Sequence, residues 1–150
     1  QAAIAAFTKG EDWLDQLCAY IYENKKYAAG SIRSELPEIK IVGGPATYLL
    51  WLDVSACTKD DKALQRFLRD TAGLWVSAGS AYGEAGKGFL RVNLACPRSL
   101  VEDGMSRLKK GVEASGQDKR AHSASDHMYS YIKALPQIKS KQKYCMDMQI

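Results

Sequence analysis

The stretch Gly86–Arg98 constrains the fold of this chain more than any other part of the sequence. Glycines at positions 86 and 88 open it, and the alternating residues that follow place Phe89 and Leu90 on opposite sides, as in a β-strand. Pro97 then precedes a polar segment, and proline suits the first turn of a helix. The pattern predicts a strand that leads directly into a helix.

Arg91 lies in the middle of this predicted strand and is its most informative residue. A guanidinium is costly in a half-buried strand unless an anion meets it, and its planar set of N–H donors matches a carboxylate held at two points. Two interpretations are open at this stage. Arg91 either binds the carboxylate of a ligand, or it pairs with an Asp or Glu of its own domain or lies on the solvated face.

Hydrophobic periodicity predicts the other elements of the chain. A long helix carries an apolar stripe from Trp13 to about Glu35, and Leu36-Pro37 ends it. Strands at 38–42 and 47–54 form a hairpin, with the second strand expected to be covered on both faces. A helix up to Gly73, a short strand at 74–76 and a last helix from Ser99 to about Gly111 complete the order. This order predicts an α+β fold, with a sheet of three or four strands and the long first helix and the last helix packed together on one face.

Three further side chains in this pattern are candidates for a site. Asn24 places an amide on the apolar side of the long helix, where it makes either a structural hydrogen bond or a substrate contact. Tyr48 follows the hairpin turn and either lines a pocket or packs in the core. Tyr82 lies among four glycines between residues 77 and 88, a stretch that lacks the Gly-Lys-Ser/Thr ending of a phosphate-binding loop and is expected to be a shaped loop.

Composition excludes several classes of protein. The chain has 150 residues, of which 46% are hydrophobic and 25% charged, so it is expected to form one domain with a tail. The net charge is +4, but the basic residues are interspersed with acidic ones and form no stripe. This distribution argues against nucleic-acid binding. No apolar run reaches the length of a membrane span, and four widely spaced cysteines predict reduced thiols in a cytoplasmic protein. Gln1 in first position suggests a processed or excised fragment.

The last part of the sequence differs from the rest. Residues 113–150 contain more basic than acidic side chains, and we expect a partly flexible tail after a domain at residues 1–112. His122 and His127 fall in this tail, five residues apart and without a carboxylate or cysteine at ligand spacing. No metal site is therefore predicted.

Several separated motifs resemble, in the same order, the C-terminal small domain of class I and II aminotransferases, which depend on pyridoxal phosphate. The resemblance is to the branch of cystathionine β-lyases and related C–S lyases, and it covers roughly residues 1–112. Agreement of several motifs in order and spacing is more specific than any single glycine pattern. The matching segments are Trp13–Asp15, Tyr20, Asn24, Thr47–Asp53, Gly79–Gly83 and Gly88–Arg98.

The resemblance implies roles for the candidate residues. The arginine at the position of Arg91 binds the α-carboxylate of an amino-acid substrate in that family, and the loops that carry Tyr48 and Tyr82 border the active-site mouth. The chain departs from the family at Ala46, where the family has a glycine-containing acidic turn, and at Tyr82, where phenylalanine is commoner. No segment here matches the lysine that holds the cofactor, so pyridoxal phosphate is expected in the parent enzyme and not on this chain alone.

Two hypotheses about function follow. In the first, the chain is part of a C–S lyase or aminotransferase and supplies Arg91, with Tyr48, Asn24 and Tyr82 as further substrate-binding candidates, while a large domain performs catalysis. In the second, it is a non-catalytic folding or interaction module. Under both, an exposed apolar surface that includes Tyr48, Tyr82 and the Ala-rich start predicts self-association or a homodimer. The resemblance leaves open whether the parent eliminates or transaminates, and on which amino acid.

Overall fold

The computed structural model describes residues 1–44 and 46–134, with the side chains of that range except those of Ala2 and residues 117–134. The chain divides into two units, Gln1–Gln117 and Asp118–Ile150. The structure combines helices with one antiparallel four-stranded sheet, which confirms the predicted α+β class. The helices are α1 (Ala2–Lys9), α2 (Glu11–Glu35), α3 (Asp61–Ala72) and α4 (Arg98–Ala134), and the strands are β1 (Lys40–Val42), β2 (Leu49–Asp53), β3 (Ser77–Ala78) and β4 (Phe89–Asn93).

The strands form one antiparallel sheet in the order β1-β2-β4-β3. The hairpin of β1 and β2 is as predicted, and β4 inserts between β2 and β3. Trp51 of β2 is therefore aligned with Val42 on one side and with Arg91 on the other. Because side chains alternate along a strand, these aligned residues share one face of the sheet.

The opposite face of the sheet carries the hydrophobic core. Helices α2, α3 and α4 cover this face, which confirms that the first long helix and the last helix lie on the same side, and an ion pair of 2.8 Å between Lys109 and Glu35 joins them. The prediction that β2 is covered on both faces was wrong, because only Leu50 and Leu52 of that strand are fully buried. The core residues of the sheet are Leu50, Leu52, Leu90 and Val92.

The third strand lies later than predicted. Residues 74–76 are not in the sheet, and Trp75 is 78% exposed. Gly73 ends α3 in a left-handed conformation, and the N–H of Leu74 donates to the carbonyl of Leu68. This C-terminal cap uses the backbone that the prediction had assigned to a strand, so pairing with β4 starts only at Ser77.

The last helix is longer than predicted. The prediction that it ends near Gly111 was wrong, since α4 continues to Ala134. A Cβ at Gly111 would collide with the side chain of Leu68, so this glycine serves a close approach of α4 to α3. The predicted domain boundary after residue 112 stays a prediction, and the side chains of His122 and His127 lie outside the described residues.

Candidate functional site

Arg91 lies on the face of the sheet opposite the core, which α2, α3 and α4 cover. It is aligned with Trp51 of β2 and Ser77 of β3, and its neighbours Leu90 and Val92 point into the core. The side chain is partly buried. Because successive side chains of a strand point to opposite faces, Arg91 lies outside the core although both of its neighbours are part of it.

An aromatic ring covers the charged end of Arg91. The Cζ atom of its guanidinium lies 4.2 Å from the centroid of the Tyr82 ring. This distance is that of a close cation–π contact, which attracts the cation without using any of its conventional hydrogen bonds. The contact restrains the side chain and leaves its N–H donors available for an anion.

Within the residues that the structure describes, no carboxylate forms an ion pair with Arg91. Other arginines of the chain do have such partners, since Arg69 pairs with Asp70 at 2.8 Å and Arg107 with Asp103 at 2.6 Å. The interpretation of Arg91 as the partner of an acid in its own domain therefore finds no support in the described part of the chain.

A pocket of about 350 Å³ opens on the same face of the sheet. Trp51 forms its aromatic centre, meeting the ring of Tyr82 edge-on at 5.7 Å and that of Phe89 at 6.2 Å between centroids. An apolar lining of this kind lowers the local dielectric and strengthens a charge interaction at its edge. The lining residues are Val42, Gly43, Trp51, Tyr82, Ala85, Gly86 and Phe89.

The loop that carries Tyr82 is held by Asp61, the first residue of α3. Asp61 is 4% exposed, and its Oδ2 accepts a hydrogen bond of 2.8 Å from the N–H of Ser80. Burial raises the pKa of this carboxyl, but hydrogen bonds from the backbone and side chain of Ser80 and from the backbone of Asp61 and Gly88 together leave the pKa below its ordinary value. Asp61 is therefore ionised at neutral pH. The only feature of the sequence that could have pointed to this role of Asp61 is its position next to the N-cap residue Asp60.

Tyr48 lies at a different opening from Arg91. It is 47% exposed and borders a groove of about 500 Å³ between α2 and the segment after β4. The structure thus brings Tyr82 and Arg91 into contact, while Tyr48 lines a neighbouring surface and not the pocket around Trp51. The groove is lined by Leu17, Tyr20, Ile21, Tyr48, Ala95, Cys96 and Pro97.

Asn24 is fully buried and fixes the end of β4. Its Nδ2 donates to the carbonyls of Leu94 and Cys96 at 3.0 and 2.9 Å, while its Oδ1 has no hydrogen-bond partner among the described residues. One turn earlier on α2, the hydroxyl of Tyr20 accepts a hydrogen bond of 2.7 Å from the N–H of Arg98, the first residue of α4. Helix α2 therefore sets the path of the chain from β4 into α4.

The turn between the hairpin strands is held by the same helix. The ammonium of Lys25 donates to the carbonyls of Gly44, Ala46 and Thr47 at 3.0 to 3.2 Å. Thr47 has a φ of 63°, a left-handed conformation that is costly for a β-branched residue. The Lys25 contacts compensate part of this cost and fix the backbone next to Tyr48.

Neither a metal cluster nor a membrane span is present in the part of the chain that the structure describes. No three His, Cys, Asp or Glu side chains there come together as metal ligands. Over the same residues, no helix has both the length and the hydropathy that crossing a membrane requires.

Comparison with known proteins identifies the family. The model of the family described as "Aminotransferase class I and II" matches residues 1–108. The chain belongs to this family. Protein MalY of Escherichia coli is 39% identical over 113 residues, and cystathionine β-lyase PatB of Bacillus subtilis is 38% identical over 105 residues. These matches cover 75% and 70% of the chain, but only 29% and 27% of the two relatives.

Solved structures agree with this assignment to the aminotransferase family. Cystalysin from Treponema denticola, which contains a pyridoxal 5'-phosphate cofactor, superposes with a TM-score of 0.68 at 31% identity. The pyridoxal-phosphate-bound C–S lyase from Staphylococcus hominis gives 0.67 at 30% identity. Each match covers about 72–73% of this chain and 28–29% of the other. The chain thus spans less than a third of the proteins that it resembles, and its resemblance to the C–S lyase branch is supported.

Proposed function

We propose that this chain forms the small domain of a pyridoxal-phosphate-dependent C–S lyase and supplies Arg91 to bind the α-carboxylate of an amino-acid substrate. The large domain of the relatives corresponds to sequence outside these 150 residues and performs the bond cleavage. This chain by itself is inactive. Family membership and similarity to PatB, a cystathionine β-lyase, support the reaction class.

The observation that carries the proposal is the state of Arg91. Its guanidinium is held against Tyr82 at 4.2 Å, has no carboxylate partner among the described residues, and lies on the face of the sheet opposite the core. A substrate carboxylate can then accept two parallel N–H bonds without displacing an internal partner. Because the arginine is already restrained, binding costs less side-chain entropy than it would for a free surface arginine.

The neighbouring residues have distinct proposed roles. Tyr82 orients Arg91, and the apolar pocket around Trp51 and Phe89 keeps water from the ion pair. Tyr48 contributes to the mouth from the groove beside α2. Asn24 had two interpretations, a structural hydrogen bond or a substrate contact, and its full burial and its two bonds to backbone carbonyls support the first. We propose that it shapes the β4 to α4 connection.

The residues present do not fit pyridoxal phosphate on their own. The cofactor requires an amine for covalent attachment and a cup of donors for its phosphate, whereas the pocket beside Arg91 has an apolar and glycine lining with neither lysine nor acid. Lys87, next to the lining residue Gly86, pairs with Glu84, and Lys25 binds the hairpin turn. Residues of the large domain would hold the cofactor, and the proposed role of this chain is limited to the substrate carboxylate.

An exposed apolar surface supports a second candidate, a non-catalytic module that associates with itself. Four large side chains of α1 and the start of α2 are more than half exposed, namely Ile4, Phe7, Trp13 and Leu14. Burial of such a surface favours association. Sedimentation of the 150-residue chain over a range of concentrations tests this candidate: a concentration-dependent dimer supports it, and a strict monomer at high concentration contradicts it.

A hybrid enzyme tests the first candidate. The segment of PatB that matches this chain is replaced by residues 1–112, and release of thiol from cystathionine is measured with added pyridoxal phosphate. We expect thiol release by the hybrid and none by the 150-residue chain alone. A hybrid that folds and shows the visible absorbance of bound cofactor, yet releases no thiol, contradicts the proposal. Transfer of the amino group to a keto acid in place of thiol release would show transamination.

A further inference from the structure

Asp61 is a buried carboxylate that the proposed substrate contact does not use. It is the first residue of α3, yet it does not cap that helix, because the N-cap carboxylate of Asp60 already accepts the N–H of Ala63 at 3.0 Å. Burying a charge is unfavourable unless hydrogen bonds compensate it. The compensation here comes from the distant loop, through the N–H of Ser80 at 2.8 Å.

We propose that Asp61 is a positioning residue for Arg91, acting through the loop 79–88 and the ring of Tyr82. This inference rests on the proposed role of Arg91 in carboxylate binding. Asp61 itself touches neither the guanidinium nor the substrate. Its function is to fix the backbone from which the aromatic ring of Tyr82 reaches the arginine.

The connection from Asp61 to Tyr82 is short. Ser80 and Tyr82 belong to one 3-10 turn, Gly79–Tyr82, whose closing hydrogen bond from Gly83 to Ser80 is long at 3.4 Å. A 3-10 turn that ends in so long a bond is weakly held at its C-terminal side. The charge-assisted bond from Ser80 to Asp61 ties this turn to the start of α3.

The rest of the loop is packed so tightly that a displacement at Ser80 would be transmitted. Gly79 and Gly86 lie backbone against backbone, and a Cβ at either glycine would collide with the carbonyl oxygen of the other. A shift of the backbone at Ser80 therefore also moves the segment around Gly86. When the Asp61 contact is lost, we expect Tyr82 to leave the guanidinium, and Arg91 then samples rotamers in which it cannot hold a carboxylate at two points.

The test uses the 150-residue chain and sodium acetate as the carboxylate probe. Two signals are followed by NMR: the ring-current shift that Tyr82 imposes on the Nε–H of Arg91, and the change of that resonance on titration with acetate. We expect Asp61→Asn to reduce the ring-current shift and weaken acetate binding about five-fold, the size of a lost cation–π restraint. Asp60→Asn is the matched control, because it removes the same charge one residue away and asparagine is an equally good N-cap. It should change neither signal.

The outcomes separate this inference from the proposed function. A folded Asp61→Asn chain with an unchanged ring-current shift overturns the positioning role, whatever acetate does. If wild type shows no acetate response at Arg91, the carboxylate role fails, and a ring-current shift lost in Asp61→Asn still supports the positioning role. In a Tyr82→Leu background, Asp61→Asn should have no further effect on acetate binding, and a full effect there contradicts a route through Tyr82. If Asp61→Asn does not fold, Asp61→Glu keeps the charge but moves the carboxylate, and the same two signals decide.

Discussion

The two faces of the sheet are built from the same strands but have opposite properties. On one face Leu50, Leu52 and Leu90 are buried against three helices, and on the other Trp51 and Arg91 are partly buried around an open pocket. Adjacent positions of β2 or β4 therefore lie one in the core and the other at the candidate site. Substitutions at adjacent positions should therefore alter stability and ligand binding separately.

The largest effect is expected for a leucine on the core face. Leu52→Ala removes a side chain that is 0% exposed and leaves a cavity, so we expect a loss of about 3 kcal/mol in the free energy of unfolding. Leu49→Ala is the matched control, since it makes the same change in the same strand on the partly buried face, and it should cost less than half as much. Urea denaturation measures both. Equal losses would contradict the separation of the two faces.

Asn24 sharpens the comparison, because it is a polar residue on the buried side. Asn24→Ala leaves the carbonyls of Leu94 and Cys96 without their donor, and we expect a loss of about 2–3 kcal/mol in the free energy of unfolding. The neighbouring Glu23→Ala removes only an exposed pair with Lys26 and should cost less than about 0.5 kcal/mol. If Asn24→Ala is as stable as Glu23→Ala, the amide does not hold the β4 to α4 connection.

Asp61 links the buried side to the open face, and its contribution to stability depends on pH. Its pKa is lower in the folded chain than in the unfolded one, so its stabilisation is present above the unfolded value near 4 and is lost as pH falls through the folded value. Asp61→Asn should therefore cost about 2 kcal/mol at pH 6 and progressively less toward pH 2.5. Urea midpoints of both chains across this range test the sign. A cost that grows on acidification would contradict it.

Sequence patterns predicted the elements that depend on local order. Alternation in β4 and the helical period of α2 are properties of neighbouring residues, and both elements were predicted close to their observed bounds. The end of α4 was not, because glycine suits both a helix end and a close contact between helices, and only the packing of Gly111 on Leu68 distinguishes them. The third strand likewise begins later than predicted, because Leu74 belongs to the C-terminal cap of α3.

The site was predictable only in part, for the same reason. Arg91 could be recognised as unusual from its place in an apolar strand. Its contact with Tyr82 and the bond from Ser80 to Asp61 join residues that are 9 and 19 positions apart, across turns whose path local sequence does not determine. The family resemblance suggested Tyr82 near Arg91, but neither periodicity nor resemblance indicated Asp61.

The smallest effect on stability is expected for a substitution of Arg91, the residue proposed to bind the substrate carboxylate. Arg91→Lys keeps the charge and loses the paired donors. Because no internal acid among the described residues depends on Arg91, the free energy of unfolding of the 150-residue chain should change by less than about 0.5 kcal/mol.

The central claim is that Arg91 serves a substrate carboxylate and not the fold. It is tested by measuring two quantities for Arg91→Lys: the Tm of the 150-residue chain and kcat/KM of the PatB hybrid on cystathionine. We predict a nearly unchanged Tm and a fall in kcat/KM of about ten-fold to a hundred-fold, the scale of a lost charged hydrogen bond. Cofactor absorbance of the hybrid should be preserved. A large drop in Tm with little loss of kcat/KM would contradict the account and make Arg91 a structural residue.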